Sequence, residues 1–269
     1  MTDIIKKFEN SGFLVVNLFN KNEINDIKKI LMTRINKIAN KKILRNSEQL
    51  KNFHKINLEE KKYKKIVKGD NRYIRLNNKI LKKIKFNSTI SNISSHAWGH
   101  SKFYIMWDKD YVKFKNCYSG YRLARPYSQF QKDVGGEHAD FLKNKNFKDS
   151  TKSLLTIWCP LVGFNKQYSL RIATGSHKKK HPIKKIQKNK TFSSPVMNKS
   201  YTLKFKFYRP KLKEGQALIF HPNLLHGGSV NKGNHTRVSV DFRIFNKKVF
   251  KNFKKQIKKN FNIYSSKLS

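Results

Sequence analysis

Cysteine is nearly absent. The 269 residues hold two, Cys117 and Cys159, far apart and outside any CxxC pair. A disulfide framework and a cysteine-built zinc site are therefore excluded, and a reducing cytoplasm suits the chain best. Acidic residues are scarce as well, 16 against 60 basic ones, for a formal charge of +44. No stretch approaches the ~18 consecutive apolar residues that a membrane span requires. The opening MTDIIKKFENSGF carries acids early and no long apolar segment, unlike a secretory signal. No internal repeat is visible.

What is present suffices for a packed interior. Hydrophobic residues make up 38% and aromatic ones 13%, which argues against disorder despite the charge. The length allows one substantial domain whose core needs no disulfide or structural metal. A charge of +44 raises the question of a nucleic-acid or anionic-surface partner. The basic residues are nevertheless spread over nearly the whole chain, with abundant Asn, Ile and Phe, and do not gather into a stripe with stacking aromatics. A broad compositional bias accounts for that pattern, and nucleic acid is not the expected partner.

Along the chain, residues 1–100 read as a short helical start, a strand Phe13-Leu14-Val15-Val16 and a helix from about Asn22 to Asn40, followed by covering helices and loops. Ile24, Ile27, Leu31, Ile35 and Ile38 step by three and four, one stripe of an α-helix, and Asn20 with Glu23 resembles a capping box. Residues 101–246 change character. Short β-type runs (Tyr121–Arg125, Leu154–Leu161, Tyr201–Phe207, Gln216–Phe220, Arg237–Phe245) are separated by Gly, Pro and Asn breaks, which predicts a sandwich or jelly-roll barrel. In the tail, residues 247–269, Phe250, Phe253, Ile257 and Phe261 fall at helical spacing and predict a basic helix. The expected whole is a single, mostly β domain with flanking helices.

The chemistry concentrates in two segments. In Gly135-Gly136-Glu137-His138-Ala139-Asp140, an imidazole and a carboxylate stand two apart, so on a strand both face the same way. With nine His and nine Asp in the chain, roughly 0.3 such pairs arise by chance, so the pair needs company. It comes from Leu218-Ile219-Phe220-His221-Pro222-Asn223-Leu224-Leu225-His226-Gly227-Gly228-Ser229, where a hydrophobic strand leads to a histidine and a glycine turn. His138, Asp140 and one distant histidine make the two-histidine, one-carboxylate set that binds ferrous iron and leaves positions open. His226 is preferred over His221 as that histidine, because the Gly227-Gly228 turn follows it directly; Arg237 comes eleven residues later. Alternation then puts Arg237, Ser239, Asp241 and Arg243 on one strand face and Val238, Val240, Phe242 and Ile244 on the other. A guanidinium beside a hydroxyl suits the distal carboxylate of a dicarboxylic 2-oxo acid.

Residues 122–244 resemble the phytanoyl-CoA dioxygenase superfamily of Fe(II)/2-oxoglutarate oxygenases. The resemblance rests on His138-Ala139-Asp140, His226 and Arg237 in order, on Trp158-Cys159-Pro160-Leu161, on Gly175-Ser176-His177 and on the Arg-x-Ser of the last strand. It implies a double-stranded β-helix (jelly-roll, cupin-like) core, Fe(II) as metal, 2-oxoglutarate as co-substrate and O2 as oxidant. It also implies that Thr156 and Trp158 border the 2-oxoglutarate pocket. The wording around HADF and TIWCPLVGF is similar to oxygenases of bacterial surface-sugar clusters. That similarity implies a small carbohydrate or anionic substrate, with a lipid or acyl thioester as the alternative. One departure is Ala173-Thr174-Gly175, where the family's turn usually begins with Pro.

The remaining candidates have plainer readings. His177 and His181 read as a turn histidine and a solvated one, and His96 and His100 as a chance pair. Arg125 reads as either a substrate-side residue or half of a buried ion pair. An inactive jelly-roll binding module and a basic nucleic-acid-binding protein are the rival functions.

Overall fold

The computed structural model describes residues 2–67, 71–106, 118–126, 133–140, 154–182, 187–188, 193–194, 197–227 and 229–246. Cys117, Gly228 and the helix expected over 247–269 lie outside the described residues. Among those described, no helix is long and apolar enough to cross a membrane.

The chain opens with α1 (Asp3–Ser11), β1 (Phe13–Asn17) and α2 (Lys21–Ala39). The expected capping box is present: Glu23 donates its backbone N–H to Asn20 Oδ1, and its carboxylate accepts from the Asn20 N–H, at 3.0 and 2.8 Å. All five residues of the predicted stripe are buried. Four further helices follow: α3 (Ser47–Lys51), α4 (Glu60–Val67), α5 (Asn78–Lys85) and α6 (Ser88–Trp98), with the short strand β2 (Tyr73–Arg75) between α4 and α5. Asn46, Asn77 and Asn87 each accept from the backbone N–H three residues on, at the starts of α3, α5 and α6. The asparagine richness of this region thus supplies helix caps.

The strands that follow are β3 (Phe103–Met106), β4 (Tyr118–Ala124), β5 (Glu137–His138), β6 (Leu154–Val162), β7 (Ile172–Ala173), β8 (Gln187–Lys188), β9 (Ser193–Ser194), β10 (Phe207–Tyr208), β11 (Gln216–Phe220), β12 (His226–Gly227) and β13 (Arg237–Asn246). A helical turn, α7 (Lys199–Thr202), precedes β10. The strand expected over Tyr201–Phe207 is therefore corrected. Its first residues close a turn on Asn198, whose carbonyl accepts from Tyr201 and Thr202, and only Phe207 is extended and paired. Local turn hydrogen bonds here override β-propensity, which depends on context.

The large sheet has the order β1-β11-β6-β13-β4-β2, with β3 also pairing β13; the small one runs β10-β7-β12-β5; β8 and β9 form a ribbon. Every pairing is antiparallel. Val238, Val240, Phe242 and Ile244 join Ile157, Cys159 and Leu161 in one core with the α2 stripe, between sheet and helices. The opposite face of the large sheet contributes Trp158, Leu218 and Phe220 to a second core with Ile172 of the small sheet. The result is the expected mostly β jelly roll, with helices covering the outside of its larger sheet.

Candidate metal centre

Strand register builds the site. β12 lies antiparallel to β5 with His226 opposite His138, which brings the two imidazole rings to 4.4 Å between centroids. The intervening backbone is tight. Gly227 has φ of 110°, and a Cβ there would strike the Gly136 carbonyl and the His138 ring, so only glycine fits. Asp140 lies just past the end of β5, not within a strand as the alternation reading supposed. The convergence holds all the same: one ligand atom from each of His138, Asp140 and His226 lies within 4.8 Å of the others, and all three residues are buried.

The rings are oriented by their outer nitrogens. His138 Nδ1 lies 3.0 Å from the Gly136 carbonyl and His226 Nδ1 2.9 Å from the Leu224 carbonyl. A carbonyl only accepts, so both rings carry their proton on Nδ1 and present the Nε2 lone pair inward. Those Nε2 atoms lie 3.7 and 3.8 Å from the same Asp140 oxygen, Oδ1. Asp140 Oδ2 accepts from the Thr156 hydroxyl at 2.8 Å, while Oδ1 is 2.7 Å from Arg243 Nη2. Two neutral nitrogens and a carboxylate oxygen, oriented by backbone and hydroxyl partners, fit a divalent first-row ion such as Fe(II).

Arg237 begins the strand that carries Arg243, six residues before it. It is buried, with Nη1 donating to the Tyr168 and Ser229 carbonyls at 3.2 and 2.7 Å. Its Nε and the Ser239 hydroxyl have no hydrogen-bond partner among the described residues. Burial, reinforced by Arg122 and Arg209, pushes the guanidinium down to about 9. A buried cation with idle donors beside an idle hydroxyl suits an incoming carboxylate. Trp158 and Thr156 stand opposite Asp241 and Arg243 across the β6–β13 ladder. Thr156 touches the Asp140 carboxylate, and Trp158 packs between the sheets.

Other sequence candidates fall away from this centre. His221 accepts at Nδ1 from the Asn223 N–H and stacks on His177, 5.1 Å between ring centroids. His181 is not solvated as expected: it is buried between the Tyr201 hydroxyl and the Asn223 carbonyl. Both ring nitrogens are satisfied from elsewhere in the chain, by α7 and by the segment between β11 and β12. Gly99 ends α6 between His96 and His100, and His96 instead meets Glu9 at 2.7 Å. Arg125 resolves as the ion-pair residue. Its Nε and Nη2 hold both Asp133 oxygens at 2.8 and 2.9 Å, and its guanidinium covers the Tyr63 ring at 3.4 Å. Arg125 thereby ties the end of β4 to the loop that delivers His138. Burial raises the Cys159 thiol to about 12, which keeps it protonated and a core residue. Sequence reasoning put Arg243 on the correct face but assigned it no part; the alternation of β13 was the available signal.

The phytanoyl-CoA dioxygenase (PhyH) family model matches residues 8–239. No match was found among curated proteins. Among solved structures, the chain is similar to the non-heme alpha-ketoglutarate-dependent carbocyclase SnoK of nogalamycin biosynthesis, with TM-score 0.54, 10% identity, and coverage of 91% of this chain and 84% of that one. It is similar to the epimerase SnoN in complex with Fe3+, alpha-ketoglutarate and nogalamycin RO, with TM-score 0.53, 12% identity and coverage of 90% and 82%. EctD from S. alaskensis in its apo form gives TM-score 0.51 at 15% identity, over 90% of this chain and 75% of that one. At these identities the likeness concerns the fold.

Proposed function

The chain belongs to the phytanoyl-CoA dioxygenase family, and from that premise we propose that it is a single-domain Fe(II)- and 2-oxoglutarate-dependent oxygenase that hydroxylates a small molecule. The observation that carries this reading is the meeting of His138, Asp140 and His226 donor atoms within 4.8 Å. Arg237, with its unused Nε beside the unused Ser239 hydroxyl, supports the co-substrate.

His138 and His226 hold the ion through Nε2, and Asp140 through Oδ1. Arg237 and Ser239 anchor the far carboxylate of 2-oxoglutarate, with Thr156 and Trp158 on the adjoining strand as the pocket's wall. When bound, ferrous iron with 2-oxoglutarate and O2 supplies the oxidation, yielding succinate, CO2 and an oxygen atom for a substrate C–H bond. The chain's contribution is to orient these partners and keep the reacting centre from water. Because Asp140 is a carboxylate, and not the small residue that admits a halide in related halogenases, hydroxylation is the outcome we favour over chlorination.

For substrate we propose a sugar or surface-polysaccharide precursor, on the strength of the similarity around HADF and TIWCPLVGF. The intact ligand set speaks against an inactive binding module, and the dispersed charge against a nucleic-acid role. Cytoplasmic residence is our reading of the sparse cysteine content. Anaerobic reconstitution with Fe(II) and 2-oxoglutarate tests the reading. A visible charge-transfer band should form, followed by succinate release in a metabolite screen; absence of the band, or unchanged iron affinity in Asp140→Ala, overturns it. The product of a turned-over substrate separates hydroxylation from epimerisation or ring closure.

A further inference from the structure

Arg243 has no part in the chemistry above, yet it is 2% exposed and touches the proposed carboxylate ligand. We infer that Arg243 competes with the metal ion for Asp140, so that the centre holds its ion weakly until an anionic co-ligand joins it. This rests on the metal reading of His138, Asp140 and His226.

The two oxygens of Asp140 have separate partners. Thr156 and Arg243 are opposite one another across the β6–β13 ladder, so they approach the carboxylate from neighbouring strands. The Thr156 hydroxyl takes Oδ2 at 2.8 Å. Oδ1 remains to face both imidazole nitrogens at 3.7 and 3.8 Å. Arg243 Nη2 lies 2.7 Å from that same atom. The oxygen best placed to ligate an ion is therefore the one already engaged by a cation.

Arg243 has little room to withdraw. β13 is paired on both sides at this point, Arg243 lying opposite Thr156 of β6 and Met106 of β3, and Arg243 is buried. Two imidazoles, the Asp140 carboxylate and the Arg243 guanidinium meet here. A divalent ion entering among them adds two positive charges next to a fixed third. In a buried site that repulsion is far less screened than in water. The 2-oxo carboxylate of a chelating 2-oxo acid brings one negative charge to the ion and offsets part of what was added, the far carboxylate being taken by Arg237. Metal and dicarboxylate binding should therefore reinforce one another beyond what chelation alone gives. A guanidinium that merely orients Asp140 makes the opposite prediction, since its loss would then weaken the ion.

The test is anaerobic calorimetry of the full chain with Mn(II) or Co(II), with and without 2-oxoglutarate. Arg243→Gln keeps a donor for Oδ1 and removes the charge; Arg243→Lys keeps the charge. A neighbouring charge at ~4–6 Å shifts an ionic equilibrium by about one to three powers of ten. Arg243→Gln should accordingly bind the ion alone at least ~10-fold more tightly than wild type, and gain correspondingly less from 2-oxoglutarate. Arg243→Lys should stay near wild type in both. Equal or weaker binding of the lone ion by Arg243→Gln overturns the inference. So does Arg243→Lys behaving like Arg243→Gln.

A measurement on the wild-type protein serves if the variants do not fold. Oxalate, a dianion, should tighten the ion more than pyruvate, a monoanion with the same chelating reach, beyond their difference toward the free ion. No such excess overturns the inference. A wild-type protein that takes up no ion under any of these conditions overturns the metal reading itself.

Discussion

The two faces of β13 are equally hidden and chemically opposite. All ten residues from Arg237 to Asn246 are buried. Val238, Val240, Phe242 and Ile244 pack toward α2 and its neighbours. Arg237, Ser239, Asp241 and Arg243 turn toward the interior of the jelly roll. The outer set stabilises the fold, each large side chain by about 1.5–3 kcal/mol on leaving water. The inner set works against it, because buried guanidinium and carboxylate groups give up hydration that neighbours must replace. Burial alone therefore does not separate core from site. The inner face adds two idle groups on one strand: Arg237 Nε and Ser239 Oγ lack partners among the described residues, where a structural pair such as Arg125–Asp133 uses both oxygens.

The comparison breaks most visibly at the small sheet that faces this strand. His226→Ala removes one imidazole from the centre. Loss of a ligand's outer-shell partner alone typically costs ~10–100-fold, so loss of the ligand should lower turnover on the order of 10³-fold or more. Fe(II) titration should show no saturable site, while the thermal unfolding midpoint moves little. Retained iron binding would mean that the inner face serves something other than a metal centre. Phe242→Ala is the converse. A fully buried ring on the helix side leaves a cavity worth about 3–5 kcal/mol of stability, read as a lower denaturation midpoint. Fe(II) affinity in the folded fraction should stay unchanged.

Arg237→Met sharpens the contrast within the inner face. Charged hydrogen bonds contribute about 1.5–3 kcal/mol, so 2-oxoglutarate should bind roughly 10–100-fold more weakly, with metal affinity alone preserved. Its pH dependence has a definite sign. Burial, Arg122 and Arg209 hold the guanidinium down to about 9, and the carboxylate needs the charged form. 2-Oxoglutarate affinity in the wild type should therefore fall as pH rises through that value, and the fall should be missing from Arg237→Met. A decline of equal size in the variant would assign it to another group.

Much of this was legible beforehand, because period and spacing carry the information. The α2 stripe and its cap, the strand at Gln216–Phe220 and the alternation of β13 follow from residue type at fixed intervals. So does the set His138, Asp140, His226, once Arg237 is counted from the last histidine. What escaped depended on neighbours distant in sequence. One exception is local: the helical turn at Lys199–Thr202 closes on the Asn198 carbonyl, where residue type alone suggested a strand. The burial of His181 came from Tyr201 and Asn223 closing over it. Arg243 showed its face in the pattern, but its contact with Asp140 arises from two strands meeting, which no local spacing encodes.

The smallest effects make the finest comparison, because they divide two adjacent residues. Ser239 and Val240 share a backbone, the same strand and full burial, and differ only in which way they point. Ser239→Ala deletes a hydroxyl that has no partner among the described residues, so the fold should lose nothing measurable. If that hydroxyl is a donor to 2-oxoglutarate, a neutral hydrogen bond of about 0.5–1.5 kcal/mol disappears, and the dissociation constant rises roughly 2- to 12-fold. Val240→Ala should leave 2-oxoglutarate binding alone and lower stability by about 1–2.5 kcal/mol, since each buried methylene contributes about 0.8 kcal/mol and the cavity adds to it. Measured side by side, charge-transfer titration and denaturant unfolding should give opposite answers for the two. Were Ser239→Ala to unfold the protein more easily and leave 2-oxoglutarate affinity intact, its hydroxyl would belong to the scaffold, and Arg237 would hold the co-substrate without it.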